Sequence, residues 1–206
     1  MNLAAYLTGA LVSLGLDAEP RQEVALLDYL NLMGKWNRTY NLTAIHEPGR
    51  MLTHHLLDSL AIAPHVGAGP LLDVGSGGGL PGIPLAILRP SLKVTLLDAS
   101  QKKCSFMQQA AIELGLTNVE VVHARVEAFR PASGYAQIVS RAFSELKEFV
   151  GLTRHLLAPE GEWLAMKGLY PNEEIAQLKG ARVKRDLPLH VPGLDADRHL
   201  IVMEAM

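Results

Sequence analysis

The 206-residue chain has a net charge of −2, with 49% hydrophobic and 19% charged residues; that is the balance of a chain that folds around one sizeable core and is too short for two ordinary domains. A near-neutral total excludes a generally basic nucleic-acid coat and leaves room only for a localised basic patch. The single cysteine, Cys104, excludes an intrachain disulfide and a multi-cysteine metal site, and with no leader-like start and no run approaching the roughly 18 apolar residues of a membrane span, a cytoplasmic protein is expected.

Leu3, Leu7, Ala10, Leu11 and Leu14 recur at helical spacing before Gly15, and Leu26, Leu30, Met33 and Trp36 form a second apolar face after Pro20. A third helix is expected after Pro48, with Leu52, Leu56 and Leu60 turned inward and Pro64 and Gly67 ending it. From Pro70 the pattern changes. Short apolar runs at Leu71 to Val74, Val94 to Leu97, Val119 to Val122, Ile138 to Val139 and Trp163 to Met166 alternate with helical stretches. Those stretches are Ile83 to Leu88, Gln101 to Leu114, Glu145 to Leu157 and Glu173 to Leu178, with Ser100, Ser144 and Asn172 as helix-starting residues. Such alternation predicts an α/β fold with a doubly wound, mostly parallel sheet covered by helices on both faces. Val183 to Leu187 and His199 to Glu204 have no helix between them and read as antiparallel edge strands. The chain therefore reads as one domain over 1–206, a helical extension over 1–66 joined to an α/β core over 67–206.

The strongest local signal is the run from Leu71 to Gly82, Leu-Leu-Asp-Val-Gly-Ser-Gly-Gly-Gly-Leu-Pro-Gly, a buried strand entering a glycine cluster and then a helix. Glycines let the backbone approach a ligand, and Pro81 and Pro84 suit a first helical turn. The ligand belongs beyond the carboxyl ends of the strands, where the direction of winding reverses. Gly77-x-Gly79-x-x-Gly82 satisfies the dinucleotide pattern and keeps a nicotinamide cofactor open; a ligand-free tight turn is the bland alternative. Asp73 with Gly75-x-Gly77-x-Gly79 is instead similar to the first motif of S-adenosylmethionine methyltransferases. Asp98, ending the next strand, can accept both ribose hydroxyls of a nucleoside, or cap the following helix, for which Ser100 is better placed. Val121 to Glu127 ends the third strand in the same layer, where backbone amides and Glu127 can meet an adenine edge, and Arg125 either touches the ligand or pairs with Glu127.

Ser140-Arg141-Ala142-Phe143 sets a cation at the rim, as an acceptor-orienting group or a structural ion pair. Lys167, before Gly168, faces the same mouth, so that Arg141 and Lys167 could bracket a nucleic-acid backbone. In the leader, Lys35-Trp36-Asn37-Arg38-Thr39-Tyr40-Asn41 mixes aromatics, cations and amides as an RNA-contacting surface does, although Trp36 also suits a core. His54-His55-Leu56-Leu57-Asp58-Ser59 lacks a metal-binding pattern, and its histidines read as buried hydrogen-bonding or substrate-side groups.

Taken in order, Lys35 to Thr43, His55 to Leu60, Asp73 to Pro84, Leu97 to Ser100 with Lys102 and Lys103, Arg125 to Glu127, Ser140 to Ala142 and Met166 to Gly168 resemble one family over nearly the whole chain. It is the bacterial small-subunit ribosomal RNA guanine-N7 methyltransferase family, RsmG or GidB. The resemblance implies a class I S-adenosylmethionine methyltransferase with a Rossmann-like core, methylating N7 of one guanine in 16S ribosomal RNA and releasing S-adenosylhomocysteine. It also implies cofactor positions at Gly75, Leu80, Val126, Glu127 and Arg141, beside Asp73, Gly77, Gly79 and Asp98 from the residues themselves. Candidate RNA contacts are Lys35, Trp36, Asn37, Arg38, Arg141 and Lys167. The partner implied is 16S ribosomal RNA or the small ribosomal subunit, with no membrane, no metal and no stable protein partner. Gly78 departs from the pattern, since relatives often carry Ala or Pro there. Because N7 of neutral guanine has a lone pair and no proton to lose, direct displacement needs no general base. An NAD-dependent oxidoreductase and a ribosome-associated binding module without turnover are the competing readings.

Overall fold

Asn2 accepts the amide N–H groups of Ala4 and Ala5 and so starts α1 (Leu3–Ser13). Pro20 opens α2 (Pro20–Tyr40), where Gln22 turns inward and donates to the carbonyls of Ile87 and Leu88, fastening this helix to the core. The structure, a computed structural model, describes residues 2–141, 143 and 145–206. The helix expected after Pro48 is a composite of α3 (Pro48–Met51), a π-helical segment (Leu52–Leu57) and α4 (Asp58–Leu60). Leu52, Leu56 and Leu60 are all fully buried, as their spacing predicts. The π segment was not legible, because apolar spacing over so short a stretch does not separate the two helix types. It carries His54 and His55, and such segments are frequent at functional sites.

Strands and helices then alternate as β1 (Leu71–Val74), α5 (Gly82–Leu88), β2 (Val94–Asp98), α6 (Gln101–Glu113), β3 (Val119–His123), β4 (Tyr135–Ser140), α7 (Leu146–Thr153), β5 (Leu157–Lys167) and α8 (Asn172–Ala176). The chain closes with β6 (Ala181–Pro188) and β7 (His199–Ala205). The seven-stranded sheet has the order β3-β2-β1-β4-β5-β7-β6, and pairing is parallel from β3 to β5. β7 runs antiparallel to β5 and β6, as the helix-free tail predicts. β1 and β2 are buried at every position, the consequence of helices on both faces. Winding reverses between β1 and β4, which opens a crevice beyond their carboxyl ends.

Two boundaries differ from the sequence reading. The helix expected to run to Leu157 ends at Thr153, followed by a single 3₁₀ turn, and β5 begins at Leu157 rather than Trp163. Pro159, a left-handed Glu160 (φ +62°) and Gly161 interrupt the strand pattern there, and its register against β4 jumps from Tyr135–Leu157 to Gln137–Glu162. Ser144, expected to start α7, lies outside the described residues, as does Ala142. The larger apolar cluster takes in Leu7, Leu26, Met33 and Leu56 from the leader with Ile83, Leu96, Phe106 and Leu164 from the core, so both parts share one interior. Among the described residues no helix is long and apolar enough to cross a membrane.

Candidate active site

The glycine run becomes a loop folded back over the end of β1. Gly75, Gly77 and Gly79 have φ of +70°, +61° and +84°. At Gly79 a side chain would also strike Ile83, whose Cδ1 lies 2.4 Å from an added Cβ. Gly82 serves close approach instead: a Cβ there would fall 2.3 Å from Leu96 and 2.9 Å from the Asp73 carboxylate. Asp73 is wholly buried and Oδ2 accepts the Gly82 N–H at 2.8 Å, while Oδ1 has no partner. Burial raises its carboxyl to about 7, against the pull of the Gly82 N–H and of Arg141. Asp73 therefore lies beneath the loop and fixes where α5 begins, and it lines neither of the two clefts above. Tyr29 of α2 donates to the Gly78 carbonyl and holds the loop from the other side. An added Cβ at Gly78 would sit 3.0 Å from Met33 Cε, so this glycine makes room for α2.

Two clefts meet at Gly75. The first, about 260 Å³, is lined by Gly75, Asp98, Arg125, Val126, Glu127 and Phe143. The second, about 210 Å³, is lined by Thr43, His55, Gly75 to Gly78, Leu80 and Arg141. The strand-end residues and the glycine loop thus converge on one elongated crevice, with Arg125 and Glu127 both on its wall. Asp98 is 8% exposed and held at both oxygens: Oδ2 accepts the Gly77 N–H at 2.9 Å and Oδ1 the Ser100 N–H at 2.8 Å. Ser100 occupies the cap position of α6, but its side chain caps nothing. Each carboxylate oxygen retains a further lone pair for a hydroxyl donor.

On the loop side, Arg141 forms an ion pair with Asp58 at 2.8 Å, one of the two roles left open by the sequence, while also lining the crevice. Asp58 is buried, and its second oxygen holds Arg198 at 2.8 Å. His55 Nε2 and Thr43 Oγ1 share a hydrogen bond of 2.8 Å, and Thr43 Oγ1 also accepts the Ile45 N–H. Burial, with Arg141 nearby, pushes His55 down to about 4, so the imidazole is neutral at physiological pH.

The RNA candidates separate into distinct environments. Lys35 and Arg38 are exposed and line a larger cavity of about 610 Å³ between the first helices and the loop after α2, away from the glycine loop. Trp36 is half-buried, stacked on Tyr40 at 5.0 Å and edge-on to Phe106 at 5.6 Å. Asn37 departs from the surface reading. It is 1% exposed, its Oδ1 accepts the Thr43 N–H at 2.8 Å, and its amide faces Ile45 and His46, so it clamps the loop that brings Thr43 to the crevice. Lys167 likewise departs from the bracket expected with Arg141. Its ammonium is 2.7 Å from Glu174 Oε2, which also accepts the Leu146 N–H, so its charge is neutralised inside the protein. Asp58, Thr43 and Arg198 were not singled out as site residues. A carboxylate between the inward-turned Leu56, Leu57 and Leu60 was the available signal for Asp58; Arg198 gave none.

Residues 22–201 match the GidB family model, described as rRNA small subunit methyltransferase G. The ribosomal RNA small subunit methyltransferase G of Laribacter hongkongensis is 58% identical over 202 residues, covering 98% of each chain. That of Chromobacterium violaceum is 56% identical over 201 residues, 97% of this chain and 96% of the relative. Among solved structures, the glycopeptide N-methyltransferase MtfA complexed with S-adenosylhomocysteine superposes with a TM-score of 0.63 at 14% identity, covering 74% of this chain and 87% of that one. An S-adenosylmethionine-dependent methyltransferase from Aquifex aeolicus gives 0.61 at 18% identity, over 82% and 96%. At such identities the likeness is one of fold, that of the class I methyltransferases.

Proposed function

The chain belongs to the GidB family of small-subunit ribosomal RNA methyltransferases, and from that premise we propose that it methylates N7 of a specific guanine in 16S ribosomal RNA by direct displacement. The coarser activity, S-adenosylmethionine-dependent methylation of small-subunit ribosomal RNA, follows from the family. The observation that carries the site assignment is the junction of Asp98 with the glycine loop, an acid at the end of β2 bonded to the Gly77 N–H. The residues present fit the cofactor: Asp98 has spare acceptor capacity for ribose hydroxyls, Gly75, Gly77 and Gly78 present bare backbone to the cleft, and Arg141 supplies a cation on the same wall. S-adenosylmethionine supplies an electrophilic methyl group on a sulfonium.

The protein's own task is alignment. Asp98 and Glu127 orient the nucleoside end, the Gly75 to Leu80 loop and Arg141 the amino-acid end, and the crevice between Thr43, His55 and Arg141 admits the base. Guanine N7 carries no proton, so no side chain has to remove one. Two nearby titratable groups are engaged otherwise: His55 is neutral and bonded to Thr43, and Asp73 is buried under the loop. We place the protein in the cytoplasm with its ribosomal substrate. Small-subunit RNA transcribed with 7-deazaguanosine, which lacks the N7 lone pair, should accept no methyl group while unmodified RNA does. Equal incorporation into both would overturn the N7 assignment.

A further inference from the structure

Asp58 is shared by two arginines that come from distant parts of the chain. Its Oδ2 is 2.8 Å from Arg141 Nη1 and its Oδ1 is 2.8 Å from Arg198 Nε. The Asp58 side chain is 8% exposed and each arginine side chain 24%, so the group is largely shielded from solvent and carries a net charge of one positive unit. Arg198 is well anchored. It closes the loop between β6 and β7, where its carbonyl accepts the Leu189 N–H at 2.7 Å, and its Nη1 donates to the Asp197 carbonyl at 2.8 Å. Buried Val191 pins the same loop to the core. Arg141 is the member that lines the crevice, beside Gly75 to Gly78.

A lone Asp58–Arg141 pair would be neutral, and Arg141 would answer an incoming anion only by giving up a partner whose charge is wholly directed at it. With Arg198 on the other oxygen, Asp58 is already compensated, and Arg141 keeps attraction to spare for a second anion. The anion that the glycine-loop half of the crevice must meet is the carboxylate at the amino-acid end of the cofactor. We infer that Arg198 is a positioning residue for cofactor binding: by holding Asp58 it frees Arg141 for that carboxylate. This inference rests on the cofactor placement given above.

The test is calorimetric affinity of the full chain for two ligands, S-adenosylhomocysteine and 5′-methylthioadenosine. They share the nucleoside and the thioether, and only the first has the carboxylate. Arg198→Gln, and Arg198→Met as a second uncharged variant with a similar stem, are each checked for a cooperative thermal transition. Both should bind S-adenosylhomocysteine about fivefold or more weakly than wild type, the scale of weakening one charged interaction, with methylthioadenosine changed by less than about twofold. Arg198→Lys should recover most of the loss, and in an Asp58→Asn background Arg198→Gln should have no further effect. Wild-type affinity in the uncharged variants, or an equal loss for both ligands as a merely structural role gives, would overturn the inference. So would an undiminished Arg198→Gln effect in the Asp58→Asn background. Wild-type protein that binds neither ligand overturns the cofactor placement and this inference with it.

Discussion

Asp98 Oδ2 accepts the backbone N–H of Gly77 at 2.9 Å, so the acid ending β2 and the loop following β1 form a single unit. Replacing Asp98 with Ala removes the acceptor proposed for the ribose hydroxyls together with the tether of the loop. The expected loss is about 1.5 to 3 kcal/mol of cofactor affinity, roughly ten- to 150-fold. Calorimetry with S-adenosylhomocysteine on the folded variant measures it, and unchanged affinity would reject the assignment.

Two buried groups predict opposite pH dependences of stability. Asp73 is raised from 3.8 to about 7 by burial, so the native state binds a proton that the unfolded chain releases, and stability falls as pH rises from about 4 to 7. His55 is lowered from 6.5 to about 4, chiefly by burial, so the unfolded chain takes up a proton that the native state refuses, and stability falls as pH drops from about 6.5 to 4. Each contribution emerges as a difference from its own variant. The unfolding free energy of wild type minus Asp73→Asn should decrease across that window with rising pH, and that of wild type minus His55→Gln should increase. Flat differences in urea titrations would show that neither group is perturbed.

RNA binding should be steeply salt dependent and cofactor binding should not, because only the former releases phosphate counterions. Among the candidate RNA contacts, Lys35 and Arg38 are exposed cations, so Lys35→Ala and Arg38→Ala should each lower the logarithmic salt slope by about one. Lys167→Ala should leave the slope unchanged and reduce stability instead, since Glu174 would lose its ion-pair partner and keep the Leu146 N–H. Filter binding over a salt series separates the outcomes, and an unchanged slope in the Lys35, Arg38 double variant would exclude this surface.

The site was legible where its chemistry is local. The glycine rhythm from Gly75 to Gly82 and the strand-end position of Asp98 need only neighbouring residues to state their geometry, and the helix after Pro48 buries the leucines its spacing names. What escaped was decided by distant partners. Asn37 and Lys167 have the composition of surface contacts, but one is buried by the loop at Thr43 to His46 and the other neutralised by Glu174. Arg198 reaches Asp58 across 140 positions of sequence, and no local pattern carries such a pairing. The start of β5 was lost because Pro159 and Gly161 flank a left-handed Glu160, the punctuation of a loop inside a strand.

With cofactor saturating and RNA bound, the single-turnover methylation rate should vary less than about threefold between about pH 6 and 8, since neutral guanine needs no base. Saturation matters because titration of Asp73 beneath the loop then acts on binding and not on the rate. A rise of about tenfold per pH unit, abolished by changing one carboxylate or histidine without loss of either ligand, would establish general-base catalysis.

The most direct measurement is the identity of the methylated atom. Small-subunit ribosomal RNA, free and in the assembled subunit, is incubated with methyl-labelled S-adenosylmethionine and the protein, digested to nucleosides, and mapped along the sequence. The label should appear as N7-methylguanosine at one position, and Asp98→Ala should reduce it at limiting cofactor. Label on another atom or another base, or no label in any form of the substrate, would contradict the account.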